Sequence, residues 1–314
     1  MASQALIKEF EDLLGKENVF SSEADRQSYS YDSAVLPPVV PAFALRPTTT
    51  EQLGICVKKL YDYGIPMTVR GAGTNLSGGT IPDSKESVVI LTNGLNRILE
   101  INSDDLYAVV EPGVVTATFA AEVAKKNLFY PPDPGEKTAT MGGNAMTNAG
   151  GMRAVRYGVT RDYVLGMEVV LANGDILTLG GKNVKTSSGY SLIDLMVGSE
   201  GTLGILTKLT VKLVPEPKAN VSLLIPFDNL EACIEAVPEV LACGCEPTAV
   251  EFMEREVIAC AETYLGKQFP DTSADAYLLV RLDVELAKCG LAALFDGACA
   301  TISPDGEDAP VSLL

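Results

Sequence analysis

The feature that most restricts this chain is a run of glycine placed directly after a strand. Residues 65–70 read as a strand behind a helix that Gly64 ends. They run into Gly71-Ala72-Gly73-Thr74-Asn75-Leu76-Ser77-Gly78-Gly79, in which four of nine residues are glycine. Without a Cβ the main chain can approach a ligand closely and turn successive N–H groups inward as an anion-binding nest. Thr74, Asn75 and Ser77 add short hydrogen-bonding side chains that suit phosphate oxygens. Two familiar phosphate loops are excluded by spacing. G-x-G-x-x-G requires glycine at position 76, which is Leu76, and no acidic residue sits on a matching second strand. No Gly-Lys-Ser/Thr closes the run, so it is not a Walker loop. Taken alone, the segment also suits a glycine-rich turn without a ligand.

Two further segments share this character. Residues 130–157 form a long loop-like stretch dense in glycine, proline and asparagine, and connections of that length usually serve a function. Within it lie Pro131-Pro132-Asp133-Pro134-Gly135 and Thr140-Met141-Gly142-Gly143-Asn144-Ala145-Met146-Thr147-Asn148-Ala149-Gly150-Gly151. Two Gly-Gly pairs separated by asparagines suggest backbone laid against a flat or anionic ligand, with proline holding the approach rigid. The third segment, Gly198-Ser199-Glu200-Gly201-Thr202-Leu203-Gly204-Ile205, opens a strand and by itself reads equally well as a helix-to-strand turn.

The rest of the chain alternates helix and strand. An amphipathic first helix carries Leu6, Phe10, Leu13 and Leu14 on one side and stops at Gly15. Residues 21–31 read as helical. Thr48 and Glu51 are spaced as a capping box for a helix bearing Leu53, Cys56, Val57 and Leu60. Strands are expected at 87–92 and 107–111, and a helix at 116–126 with Phe119 and Val123 inward. Asn173-Gly174 between 163–171 and 176–179 signals a hairpin. Leu209, Val211 and Leu213 alternate with Lys208, Thr210 and Lys212 as in a half-buried strand, which Pro215 and Pro217 close at a plausible boundary. Beyond it a helix near 229–242, a strand near 249–252, a helix near 254–265 and a strand at 276–283 begin a second α+β unit. No internal repeat is visible.

Composition excludes several functions. The chain has no histidine, so the commonest general base and metal ligand are absent. Its net charge of −17, from 24 basic against 41 acidic side chains, leaves no basic footprint for nucleic acid. No apolar run approaches the ~18 residues of a transmembrane helix, and the first residues lack a basic region followed by an apolar core. A cytoplasmic location is the expectation. Seven cysteines lie scattered apart from Cys243 and Cys245, a C-x-C pair without redox or zinc spacing. Cys56 and Cys233 fall on apolar helical stripes, as buried reduced thiols do.

In this order, the Arg70–Gly79 run, the PPDP and TMGGN…TNAGG run, Tyr157-Gly158 and SEGTLGI closely resemble the FAD-binding domain of the vanillyl-alcohol oxidase type. Within it they are most similar to the glycolate oxidase D-subunit and D-lactate dehydrogenase branch, over residues 5–283. The resemblance implies an α+β fold: a helical segment at 1–45, a two-subdomain (PCMH-type) FAD-binding domain at 46–217, and an incomplete α+β cap at 218–283. It implies that Gly71, Ala72, Gly73, Thr74, Asn75, Ser77 and Gly78 hold the FAD pyrophosphate. Pro132, Pro134, Thr140, Gly142, Gly143, Asn144, Asn148, Ala149 and Gly150 are expected along the pyrophosphate and isoalloxazine, and Arg70, Tyr157 and Gly158 among the cofactor-binding residues. Glu200, Gly201, Gly204 and Ile205 are expected over the flavin and adenine side. Covalent relatives often carry histidine in the first loop; its absence here implies non-covalent FAD.

The implied activity is that of an FAD-dependent dehydrogenase, oxidising a 2-hydroxy acid such as glycolate or D-lactate by hydride transfer to flavin N5. No catalytic residue is identified. Arg153, Arg156 and Arg161 follow the flavin loop and are candidates for a substrate carboxylate, although surface or phosphate-facing roles suit each equally. The chain has no cysteine cluster of its own, so an iron–sulfur subunit or an electron-transfer flavoprotein is the implied partner. Family members continue with a histidine-bearing substrate and metal segment. Residues 284–314 read as unrelated sequence of a composition that favours disorder, which leads to the expectation of a truncated gene, impaired turnover and apolar faces left uncovered in the second unit. A non-catalytic FAD-binding subunit and an enolpyruvyl-sugar reductase or ether-lipid synthase relative are the alternative readings.

Overall fold

A computed structural model describes residues 4–283, with the backbone of 299–303 and 309–312. It divides into two units, one comprising residues 1–130, 134–149 and 159–215 and the other residues 131–133, 150–158 and 216–314.

The first unit contains two sheets. In the first, β1 (Val19–Phe20) pairs antiparallel with β2 (Phe43–Leu45), followed by β4 (Val88–Leu91) and β3 (Met67–Arg70) in parallel. All four residues of β4 are buried, the continuous apolar run expected of a parallel strand covered on both faces. Around the sheet pack α1 (Gln4–Leu14) and α3 (Thr50–Asp62), while the short α2 (Glu23–Ser28) has no buried residue. Leu6, Phe10 and Leu14 of α1 meet Leu53, Cys56, Val57 and Leu60 of α3 and Phe43 and Leu45 of the sheet in one core. Each such side chain contributes roughly 1.5–3 kcal/mol by burial. Gly15, at φ 84°, ends α1.

The cap of α3 lies one residue later than the sequence suggests. Thr49, not Thr48, accepts from the Gln52 amide at 3.2 Å, and the Gln52 side chain accepts from Thr48 N at 2.9 Å. Both registers satisfy the S/T-x-x-E/Q pattern. Gln52 prevails because its amide also reaches Leu13 O at 3.3 Å and so ties the helix start to α1.

The second sheet is antiparallel, in the order β5 (Ile98–Asn102), β6 (Tyr107–Val110), β10 (Ile205–Lys212), β8 (Val164–Val170) and β9 (Ile176–Gly180). Gly174, at φ 87°, makes the β8–β9 turn. Val170 and Ile205 join the core around α3, so that helix packs against both sheets. Of the remaining elements, α4 (Thr116–Ala124) buries Phe119 and Val123, and β7 (Leu128–Phe129) pairs with β11 (Val214–Pro215). The stretch read as loop contains two short helices, α5 (Met141–Met146) and α6 (Ala154–Tyr157), and α7 (Leu192–Met196) precedes β10. Glycine-rich sequence conceals α5, which forms because Thr140 caps it, accepting from Gly143 N at 3.2 Å.

The second unit is built on a five-stranded antiparallel sheet, β13 (Ala249–Glu254), β14 (Ala276–Leu282), β12 (Asn220–Phe227), β15 (Cys299–Ser303) and β16 (Ala309–Ser312). One face packs Val221, Leu223 and Ile225 with Leu278, Val280 and Leu282 against Cys233 and Val240. The helix expected at 229–242 is two helices, α8 (Leu230–Glu235) and α9 (Val237–Ala242), because Pro238 has no N–H to continue the ladder. At one end of the opposite face, Ile258 of α10 (Arg255–Leu265) packs with Leu224 and Tyr277. The central strand β12 was not anticipated, and five strands replace the one or two expected. Two of them, β15 and β16, fall in the tail read as unrelated; the remainder of 284–314 lies outside the described residues.

Candidate functional site

Three strand ends in the first unit meet at one cavity. The first glycine segment leaves β3, the second follows β7 and contains α5, which packs against Pro112 just after β6, and the third leads into β10. Their main chains pack closely enough to account for several glycines. A Cβ on Gly71 would lie 2.6 Å from Thr140 Oγ1, one on Gly79 would strike the Glu200 carboxylate, and one on Gly201 would lie 3.2 Å from Val69. Gly142 N donates to Pro112 O at 2.8 Å, and a Cβ there would come within 2.9 Å of the Pro112 Cα. Glu200 N donates to Met146 O at 2.8 Å and Gly198 N to Ala145 O at 3.1 Å, fixing the third segment to the end of α5. Glu200 itself has φ 54°, a left-handed conformation unusual for a side chain of its length.

The cavity has a volume of about 390 Å³. Among the residues expected at the site, Gly71, Ala72, Gly73, Thr74, Asn75, Ser77, Pro134, Thr140, Gly142, Gly143, Asn144, Ala149, Glu200, Gly201 and Ile205 line it. Val69, Pro112, Met146 and Leu206 add apolar wall, and Leu76, Gly79, Thr80, Thr92, Glu136, Ala139 and Thr147 complete it; of these, Leu76, Gly79, Met146 and Thr147 lie inside the glycine segments without having been assigned a site role, and the sequence reading missed the others. Ala139 directly precedes the anticipated TMGGN…TNAGG run and could have been inferred, whereas Pro112 and Leu206 carry no local signal.

The three segments differ in which main-chain groups remain open. At the start of α5 every amide is occupied: Met141 N by Val114 O, Gly142 N by Pro112 O and Gly143 N by Thr140 Oγ1. Among the described residues, the amides of 72–76 have no hydrogen-bond partner. Five consecutive donors therefore stand open on a loop in which Gly73 takes φ 73°. Asn75 shapes this loop from within. Its Oδ1 accepts from Ser77 N at 3.2 Å and Gly79 N at 3.1 Å, and its Nδ2 donates to Asp32 Oδ2 at 3.0 Å.

Asp32 is buried, and burial opposes its charge; hydrogen bonds from Ala34 N, Asn75 Nδ2 and Thr80 outweigh this and hold its pKa below the usual carboxylate value. Nothing around Asp32 in the sequence distinguishes it. Arg70 lies beneath the loop, donating to Tyr31 O at 2.6 Å and Thr80 Oγ1 at 3.4 Å, with its guanidinium where a Gly73 Cβ would be. Burial lowers its pKa, partly offset by Asp32; arginine stays charged regardless.

Other expected residues lie elsewhere. Gly78 packs on Leu36, and Gly204 lies against Val169 and Val170. Asn148, at φ 48°, accepts from Arg161 N at 2.9 Å. The guanidinium of Arg161 donates to Asp194 O and Val197 O, both at 2.9 Å, so this candidate for a substrate carboxylate is engaged at the end of α7, just before the third segment. Pro132, Gly150, Tyr157 and Gly158, together with Arg153 and Arg156, belong to the second unit. Among the described residues no acidic or cysteine cluster could hold a metal ion, and no helix is long and apolar enough to cross a membrane.

Residues 41–180 match the FAD binding domain family, and residues 216–297 match the C-terminal domain of FAD linked oxidases. The second match extends past Asp283, where the sequence reading ended the family likeness. The chain is 44% identical over 283 residues to a D-lactate dehydrogenase of Anaerostipes hadrus, covering 88% of this chain and 59% of the relative. It is 43% identical over 270 residues to glycolate oxidase subunit GlcD of Bacillus subtilis, covering 86% and 57%. The chain thus spans under two thirds of the length of these relatives. Its fold matches that of p-cresol methylhydroxylase with a TM-score of 0.76 at 20% identity, over 98% of this chain and 65% of the other.

The geometry suits FAD. Open amides at 72–76 offer an anion nest for a diphosphate, and Val69, Pro112, Met146, Ile205 and Leu206 supply apolar wall for a flat ring. With an FAD binding domain, matched sequence in the C-terminal domain that accompanies it, and the p-cresol methylhydroxylase type of fold, the chain belongs to the FAD-linked oxidase family.

Proposed function

We propose that this chain binds FAD non-covalently in the first-unit cavity and serves the oxidation of a 2-hydroxy acid such as glycolate or D-lactate to the 2-oxo acid. The open run of amides at 72–76 is the observation that carries the cofactor reading. These donors hold the diphosphate, Thr74 and Ser77 add hydroxyl contacts, and the buried guanidinium of Arg70 places a positive charge beneath the loop. Gly142 and Gly143 act by shape, since their amides are already occupied. Together with Thr140, Asn144 and Ala149 they make a smooth wall, and Glu200, Gly201 and Ile205 also line the cavity.

Bound FAD supplies the hydride acceptor, flavin N5, for the α-carbon of the substrate. The chain's residues bind the cofactor, orient it and exclude water from its ring face. The substrate class rests on the names of the similar proteins, a D-lactate dehydrogenase and a glycolate oxidase subunit. The partner that the resemblance implies as electron acceptor would be an iron–sulfur subunit or an electron-transfer flavoprotein.

An absorption spectrum of the purified protein tests the cofactor reading. The expected result is a flavin spectrum, with the yellow chromophore released into the supernatant by acid. A colourless preparation that takes up no added FAD overturns the reading, and flavin that stays on the acid-precipitated chain overturns non-covalent binding. Anaerobic bleaching by D-lactate or glycolate tests the substrate class in the same sample.

A further inference from the structure

The strand that leaves the third glycine segment is irregularly paired beside the cavity. Between β10 and β8, Ile205 lies opposite Val170 and Leu206 opposite Val169, but Lys208 lies opposite Glu168, so Thr207 is an extra residue. A bulge of this kind reverses the side-to-side alternation of the strand. Ile205, paired with Val170, therefore joins the core around α3, while Leu209, paired with Met167, points to the other face of the sheet. Without the extra residue Ile205 would turn away from α3 together with Leu209.

One carboxylate holds this bulge. Thr207 is fully buried, and its hydroxyl donates to Glu168 Oε1 at 2.8 Å. Thr50, the first residue of α3, donates to the same oxygen at 3.0 Å, and Lys208 donates to Glu168 Oε2 at 3.0 Å. Glu168 thus ties β8, β10 and α3 together at the residue that directly follows Ile205 and Leu206 in the cavity wall. Burial opposes its charge, but the hydrogen bonds from Lys208, Thr207 and Thr50 outweigh this and hold its pKa below the usual carboxylate value. Hydrogen bonds to a charged acceptor are stronger than those between neutral groups, which suits them to fixing a strand in an irregular register.

We propose that Glu168 is a positioning residue for the cofactor: through Thr207 it fixes the bulge that sets how Ile205 and Leu206 meet bound FAD. Glu168 and Thr207 do not line the cavity themselves, so they act only through these neighbours. The inference rests on the reading of the cavity as the FAD site and adds to it a control over the direction of two wall side chains. A regular ladder would hold β8 and β10 together as well; the bulge contributes a fixed side-chain direction at the cavity end.

Thr207→Val, which removes the hydroxyl and keeps the shape, and Thr207→Ser, which restores the hydroxyl, test it. FAD is titrated into the full chain stripped of flavin, well below the Tm, and visible-region circular dichroism reports the surroundings of the bound ring. Thr207→Val is expected to weaken FAD binding about tenfold and to change the visible dichroism, and Thr207→Ser to match the wild type in both. Glu168→Gln, which keeps an oxygen for the Thr207 hydroxyl, is expected to retain the wild-type dichroism even where its Tm falls. Thr50→Val, which takes the other hydroxyl from Glu168 Oε1 without touching β10, carries the test if Thr207→Val misfolds, with a loss of about threefold expected. A lower Tm with unchanged affinity and dichroism overturns the inference, because it marks the bond as structural alone; so does a Thr207→Ser variant as impaired as Thr207→Val. A wild type that takes up no FAD overturns the flavin reading and this inference with it, whereas unaltered variants of a flavin-binding wild type overturn this inference only.

Discussion

Replacing Gly73 by alanine tests how the first loop is held. Gly73 has φ 73°, where a Cβ costs about 1 kcal/mol in backbone strain, and that Cβ would overlap the Arg70 guanidinium. The end of an exposed arginine would move aside cheaply, but Arg70 is buried and fixed by its 2.6 Å hydrogen bond to Tyr31 O. Displacing it forfeits a bond from a charged donor, about 2 kcal/mol. The two costs together are about 3 kcal/mol, which in a unit of about 200 residues lowers the Tm by roughly 6–12 °C. Thermal melts of Gly73→Ala, Arg70→Met and the double variant measure this. In the Arg70→Met background Gly73→Ala should cost only the backbone strain, so the cycle yields a coupling of about 2 kcal/mol. Titration with FAD should show affinity reduced about tenfold in Gly73→Ala as the amides of 72–76 shift. Equal penalties in both backgrounds would refute the packing argument. Unchanged FAD affinity in a clearly destabilised variant would refute the role of the loop.

Asp32→Asn is expected to lose stability in a pH-dependent manner. The folded pKa of Asp32 lies below its unfolded value of 3.8, so the carboxylate's contribution is complete above that value and is lost as pH falls through the folded pKa. The Tm gap between wild type and variant should therefore be constant from neutral pH to about pH 5 and close on further acidification; a gap that widens in acid counts against the assignment. Arg161→Met removes the two hydrogen bonds to Asp194 O and Val197 O and should cost about 2 kcal/mol in thermal melts. D-lactate affinity should be unchanged in that variant, and a selective loss of binding would return Arg161 to the list of carboxylate ligands.

Local patterns in the sequence located most of the elements. Leu6, Phe10 and Leu14 mark the buried side of α1, and Asn173-Gly174 marks its hairpin, because each signal lies within a few residues. Elements that depend on distant partners were harder to read. The strand β5 at Ile98–Asn102 is short and half-exposed, and β12 directly follows a proline-rich stretch and ends in Pro226-Phe227. Its identity as the centre of a sheet comes from pairing with β14, 49–61 residues later. At the cavity, glycines were visible as glycines, but the partners that demand them were not. Asp32 organises the loop from 43 residues before Asn75, and Pro112 faces Gly142 across 30.

Glycine-rich segments that look alike in sequence therefore have different tasks here. In the second segment glycine allows backbone to press on backbone: Gly142 fits against Pro112, and the amides of α5 are consumed in that contact. In the third it allows the turn at Glu200 and Gly201 to reach Val69 and the end of α5. Among the described residues the first segment keeps the longest such run of open donors, because Asn75 and Arg70 hold the loop from its inner side with side chains and leave the amides of 72–76 unused. An anion site requires donors that are fixed before the ligand arrives and not already spent. By that criterion the diphosphate belongs at 72–76, and substitutions that alter Arg70, Asp32 or Asn75 should weaken FAD binding without touching the cofactor.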